Sequence, residues 1–204
     1  IHMEEDILNG NNGITFDALE EQASFIKVVG VGGGGSNAVN HMYRQGIKGV
    51  DFVVCNTDQK SLAQSPVPTK IKLGKGLGAG NNPKVAEAAA REKTDEIRDV
   101  ISNNTKMIFI TAGMGGGTGT GAAPVIAEIA KQIKTEDDMD EILVVAIVTY
   151  PYSFEGPRRK KQAEEGIAEL RKHVDSILII NNDKLREFGN MKMSEAFAKA
   201  DDVL

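Results

Sequence analysis

Between Gly113 and Gly121 the chain carries six glycines in nine positions, interleaved with Thr118 and Thr120. Glycines let an anion approach backbone N–H groups with no Cβ in the way, and threonine adds hydroxyl donors beside them. Met107 to Ala112, ahead of the glycines, is apolar or small and reads as a buried strand. Behind them Val125, Ile126, Ile129, Ala130 and Ile133 recur at helical spacing. The order strand, glycine loop, helix aims a helix N-terminus and its free N–H groups at the loop. Pro124 is expected in the first turn of that helix, where a missing donor costs nothing. A plain tight connection is the competing reading of a glycine run. Against it, each glycine costs about 0.5–1 kcal/mol relative to alanine, which points to a use. The spacing GxxxxGK[ST] is absent, because no lysine follows these glycines. Phosphate charge would therefore be met by backbone N–H groups, the Thr118 and Thr120 hydroxyls and a hydrated metal ion.

Other residues of this kind recur along the chain. Gly30, Gly32 and Gly35 fit GxGxxG after the apolar run Phe25–Val29 and before Ala38, Val39, Met42 and Tyr43, which are expected on the buried side of a helix. Asn56-Thr57-Asp58 ends a second apolar run and reads either as ligand contact or as an Asx turn. Gly74 to Asn82 is a third glycine-rich stretch, which either wraps a terminal phosphate or is a mobile lid without direct contact. Glu155 and Arg159 lie four apart at a helix start and read either as crevice-facing groups or as a surface ion pair. Glu87 and Arg91 form a similar pair on the helix that Pro83 is expected to open and that should run to about Ser102, with Val85, Ala89, Ile97 and Ile101 giving part of its apolar face. Phe197, on an apolar face, reads as core from the sequence. Cys55 reads as a small core residue rather than a nucleophile. No residue reads as a catalytic base.

The elements that must position these groups alternate. Strands are expected at 25–31, 50–55, 107–112, 142–149 and 175–180, with a short one near 70–73, and helices lie between them. This is an α/β protein with a doubly wound, mostly parallel sheet, and its strand-end loops gather at one edge. Three glycine loops on one edge exceed what a dinucleotide needs and suit a nucleoside triphosphate better.

The 204 residues allow one sizeable core, and 41% hydrophobic with 26% charged residues is ordinary for a globular protein. The net charge of −5 and the absence of Trp argue against nucleic-acid binding. The single cysteine excludes an internal disulfide framework and fits a reducing cytosol. No stretch approaches a membrane span, so no membrane insertion is expected. Ile1-His2-Met3 reads as a vector scar, and residues 4–24 as a flexible acidic extension with a short helical turn around Asp17–Gln22. Residues 25–204 are expected to form the binding domain. The last apolar helix, Ser194 to Leu204, carries no stop signal, so a truncated domain is expected.

Gly115-Gly116-Gly117-Thr118-Gly119-Thr120-Gly121 reproduces the tubulin signature GGGTG[ST]G. With GVGGGGSNAV at 30–39, NTD at 56–58, GLGAGNNP at 76–83, PYSFEGPRR at 151–159, NND at 181–183 and AFAKADDVL at 196–204, the chain resembles the FtsZ family of bacterial tubulin-like cell-division GTPases over residues 25–204. The resemblance implies the Rossmann-like architecture of tubulin and FtsZ, with GTP or GDP and Mg²⁺ as ligands. It implies phosphate and base-side contacts from Gly33, Gly34, Gly35 and Asn37, and places Asn56 near the sugar and Mg²⁺. It makes Ala79 and Gly80 part of a loop sensing the γ-phosphate, and has Gly116, Gly117, Thr118 and Gly119 bind the phosphates. Glu155 and Arg159 match ribose and phosphate contacts, and Asn182 a guanine- or ribose-side asparagine. Phe197 would stack on the base, and Asp201 would accept from guanine N1–H and its 2-amino group. Mg²⁺ would be held through phosphates and water rather than by the protein directly.

The same resemblance implies a cytoplasmic protein at the division site, assembling with itself head to tail and with other division proteins. The family's catalytic acidic loop and second, GTPase-activating domain have no counterpart in this sequence. The fragment is therefore expected to bind guanine nucleotide but to hydrolyse and polymerise poorly. Other readings are a nicotinamide-dependent oxidoreductase built on GxGxxG and Asp58, and a nucleotide-binding module without hydrolysis.

Overall fold

The computed structural model describes residues 24–133, 141–151 and 155–181. A six-stranded sheet runs in the order β3-β2-β1-β4-β5-β6, where β1 is Ile26–Val31, β2 Asp51–Asn56, β3 Thr69–Lys72, β4 Met107–Gly113, β5 Leu143–Tyr150 and β6 Ser176–Asn181. Every neighbouring pair is parallel, so the sheet is wholly rather than mostly parallel. Val29 lies in register with Val53 on one side and Ile110 on the other. The helices are α1 (Gly32–Arg44), α2 (Gln59–Gln64), α3 (Pro83–Glu92), α4 (Thr94–Ser102), α5 (Thr118–Gln132) and α6 (Pro157–Arg171).

Helices cover both faces, which is why the central strands are mostly apolar rather than alternating. On one face Val28, Val54, Phe109 and Ile147 pack with Ala38, Val39 and Met42 of α1 and Leu62 of α2. On the other, Val29, Val53, Ile108, Ile110 and Val148 pack with buried residues of α3, α4, α5 and α6. The amino edge is closed by Lys27, whose side chain is 3% exposed. Its Nζ donates to the Ser24 and Asn103 carbonyls at 2.6 and 2.9 Å and pairs with Asp51 Oδ2 at 2.9 Å, satisfying a charge that could not otherwise be buried. Cys55 is fully buried in the second cluster, and burial, with Glu96 adding to it, pushes its thiol up to about 12, as suits a core residue.

Several expectations need correction. The helix expected from Pro83 to Ser102 is two helices, because Thr94 Oγ1 takes the Arg91 carbonyl at 2.7 Å and the chain turns at Lys93. α1 opens at Gly32, whose own φ is +75°, so Gly33 to Gly35 are helical rather than loop. α5 opens at Thr118, which places Pro124 inside it rather than in its first turn. Tyr43 is exposed and reaches only the edge of Phe52, with ring centroids 6.0 Å apart. Val85 is likewise exposed. The short helix α2 carries too few apolar residues to show a period.

Candidate functional site

The strand order reverses between β1 and β4, and their connections leave toward opposite faces of the sheet, to α1 and to α5. That divergence opens a crevice at the carboxyl edge, the usual ligand position in open α/β sheets. Two helix N-termini border it. α1 and α5 each lack a side-chain cap and an acidic residue in the first turn, so their free N–H groups and positive dipole ends are left for an anion. The two lie against each other: a Cβ on Gly32 would stand 3.0 Å from the Gly119 nitrogen.

The glycines divide into two kinds. A Cβ on Gly33 or Gly116 would meet nothing within 4 Å, and one on Gly34 only ordinary contact with Gly113. Gly33 and Gly34 are exposed, so these positions leave room for a ligand. Gly35, Gly117 and Gly119 instead let backbone pack on backbone. Gly35 abuts the Thr111 carbonyl, Gly119 the Gly113 carbonyl, and Gly117 the Asn82 nitrogen and Ala79 Cβ. The central loop thereby touches both of the others. Farther along α5, Gly121 sits against the Pro83 carbonyl, and Gly166 of α6 comes within 2.6 Å of Thr120 Cγ2, measured from the Cβ it lacks.

Asn56 and Thr57 are buried at the end of β2. Asn56 Oδ1 accepts from the Asp58 nitrogen at 3.2 Å, so the Asx turn is present. Asp58 then caps α2, accepting from the Lys60 and Ser61 nitrogens and from Ser61 Oγ. Those bonds, the Ser61 backbone bond foremost, hold its carboxyl below the usual range. A carboxylate so engaged is a poor candidate for a dinucleotide ribose acceptor. The third glycine loop is pinned to the same strand end, with Gly78 N donating to the Thr57 carbonyl at 2.9 Å and Gln59 N to the Gly76 carbonyl at 3.0 Å. Within it, Ala79 is half-buried and Gly80 exposed.

Thr118 and Thr120 behave differently from each other. Thr118 opens α5, is half-buried, and its Oγ1 lies 2.6 Å from Thr57 Oγ1. Thr120 is buried, and its Oγ1 accepts from the Gly115 nitrogen at 2.9 Å, so its hydroxyl closes the loop instead of facing the crevice. Asn37 is exposed on the second turn of α1. Glu155 and Arg159 form the ion pair, Oε1 to Nη1 at 3.6 Å, beside the central loop, since Gly115 also abuts the Arg159 carbonyl. Asn182, Phe197 and Asp201 lie outside the described residues. Gln162, which the sequence did not single out, ties loops together: its Nε2 donates to the Gly115 carbonyl at 2.9 Å and the Asn81 carbonyl at 3.4 Å. Nothing in the charged pattern of α6 distinguishes it beforehand. Thr57 was legible only as part of the Asn-Thr-Asp stretch.

Fold and site together define a doubly wound α/β domain with two uncapped helix N-termini meeting at its switch point. Residues 25–190 match the model of the Tubulin/FtsZ family, GTPase domain, and the chain belongs to that family. It is 48% identical over 208 residues to the cell division protein FtsZ of Porphyromonas gingivalis, an alignment covering 99% of this chain and 43% of that protein. To the cell division protein FtsZ of Azotobacter vinelandii it is 51% identical over 189 residues, covering 90% and 46%. The solved structure "FtsZ dimer, empty" from M. jannaschii superposes with a TM-score of 0.73 at 42% identity, covering 95% of this chain and 56% of that one. The chain spans about half the length of the curated relatives it matches.

Proposed function

We propose that this chain is the guanine-nucleotide-binding half of a self-assembling cell-division GTPase. The observation that carries the reading is the pair of uncapped helix N-termini, α1 and α5, meeting at the switch point over open glycine positions. The donor set fits a polyphosphate: backbone N–H groups and the Thr118 hydroxyl surround a space that side chains at Gly33 or Gly116 would fill. No group of three or more His, Cys, Asp or Glu among the described residues could hold a metal. On this reading Mg²⁺ would be carried on phosphate oxygens and water, where it would supply charge neutralisation.

On this reading Gly33, Gly34 and Gly116 admit the phosphates, and Gly35, Gly117 and Gly119 hold the loops in place around them. Ala79 and Gly80 border the terminal phosphate, Asn56 and Asn37 the sugar and base side, and Glu155 and Arg159 the ribose and phosphate. Asn182, Phe197 and Asp201 complete the base site. Hydrolysis would be attack of water on the γ-phosphate, aided by positioning and electrostatics. Self-association head to tail would bring a neighbouring subunit against the γ-phosphate side of the site. Its place would be the cytoplasm, at the division site.

Calorimetric titration with GDP and GTP in the presence of Mg²⁺, with ATP and NAD⁺ as competitors, tests the reading. Guanine-selective binding is expected. Preference for NAD⁺, or no nucleotide binding by a chain whose circular dichroism shows it folded, overturns it.

A further inference from the structure

We propose that Thr57 is a positioning residue for the phosphate site, acting through Thr118. The inference rests on the nucleotide reading above. Thr57 is 3% exposed and its hydroxyl faces Thr118 rather than the crevice. It is nevertheless the one residue at the end of β2 that holds both neighbouring loops. Its Oγ1 lies 2.6 Å from Thr118 Oγ1, and its carbonyl accepts from Gly78 N at 2.9 Å. The Asn56 Oδ1 bond to Asp58 N fixes the backbone around it.

The chemistry follows from proton counting. A hydroxyl has one proton to donate and two lone pairs to accept with. If Thr118 donated to Thr57, it would have no proton left for an anion. If Thr57 donates to Thr118, the Thr118 proton is free for a phosphate oxygen, and the two bonds polarise each other in one direction. An anion in the crevice selects this second arrangement, because only then does Thr118 offer it a donor. Thr57 thus aims the Thr118 hydroxyl and strengthens it as a donor, while its carbonyl keeps the 74–82 loop at the same strand end. Thr120, two residues on, does not share the task, because its side chain is buried and its oxygen is turned to Gly115 N rather than to Thr57.

The test is a double-substitution cycle read by calorimetric titration of GDP and GTP. Thr57→Val removes the hydroxyl and keeps the volume and the carbonyl; Thr57→Ser keeps the hydroxyl. Thr57→Val is expected to weaken both nucleotides about fivefold, the worth of one net hydrogen bond. Thr57→Ser should stay within about twofold of the parent. In a Thr118→Val background, Thr57→Val should add nothing further, which a merely structural role would not produce. Unchanged affinity in Thr57→Val, or the same loss in both backgrounds, overturns the proposal. If Thr57→Val melts below the assay temperature, Thr57→Ser against Thr57→Ala repeats the comparison and the same results decide. Failure of the nucleotide reading itself would show separately, as a parent chain that binds neither GDP nor GTP.

Discussion

Gly33→Ala separates what the glycines do for the fold from what they do for a ligand. Gly33 is the second residue of α1, and a Cβ placed on it meets no atom within 4 Å. Its backbone is helical and not in the left-handed region, so alanine fits without strain. Glycine in a helix is worse than alanine by about 0.5–1 kcal/mol, chiefly through the freedom it has when unfolded. Without nucleotide, Gly33→Ala should therefore raise stability, by up to about 1 kcal/mol. For a chain of this length that is a rise in Tm of about 2–4 °C. With nucleotide the sign should reverse, because the new methyl occupies the open space over the α1 N-terminus. Differential scanning calorimetry with and without saturating GDP reads both. A variant that gains stability and keeps the full nucleotide-dependent rise in Tm would refute the claim that this position is kept bare for a ligand. One that loses stability without ligand would refute the structural argument.

Three further outcomes are expected. Gly121→Ala drives a Cβ into the Pro83 carbonyl and within 3.0 Å of the Glu87 nitrogen, so it should cost about 1–3 kcal/mol in urea denaturation as α3 and α5 are forced apart. Asp175 is partly buried, which works against its charge, but Lys131 Nζ at 2.8 Å and the Val144 nitrogen at 2.8 Å outweigh this and hold its pKa down. Its contribution is thus complete above the unfolded value near about 3.9 and is lost as pH falls through the lower folded value. Asp175→Asn should cost about 1 kcal/mol at neutral pH, with the gap to the parent closing in acid; a gap independent of pH would count against the assignment. Asp201→Ala should reduce the preference for GTP over ATP by about 1.5–3 kcal/mol in competitive titration, and unchanged selectivity would remove Asp201 from the base site.

The strands were legible because β1, β2, β4 and β5 are buried on both faces, so each reads as a continuous apolar run. The third glycine loop was legible for a local reason, since Asn and Gly encode turns through their own side chains and backbone, while at Asn56–Asp58 the sequence left an Asx turn and a ligand contact open and the structure shows the turn. What escaped the sequence depends on which of several compatible contacts the chain makes, some of them local and some long-range. Thr94 ends a helix whose apolar period continues across it, because its hydroxyl competes for the Arg91 carbonyl. Pro124 sits within α5 although proline favours a first turn, since the helix already begins at Thr118. Thr118 and Thr120 look alike in the signature, and only the fold turns one toward Thr57 and the other toward Gly115. Gln162 joins two loops from a helix far along the chain, which no local pattern announces.

The close approaches at glycine have a consequence for genetics. Where the atom met by a new Cβ belongs to another main chain, as at Gly35 and the Thr111 carbonyl or Gly121 and the Pro83 carbonyl, there is no neighbouring side chain to trim. Damage at such positions has no simple second-site suppressor, and selection for revertants should return glycine itself. Gly166 differs, because its nearest neighbour is the Thr120 methyl at 2.6 Å. Thr120→Ser deletes that methyl and keeps the oxygen that accepts from Gly115. The cradle thus contains both irreplaceable and repairable glycines, and the nearest atom distinguishes them.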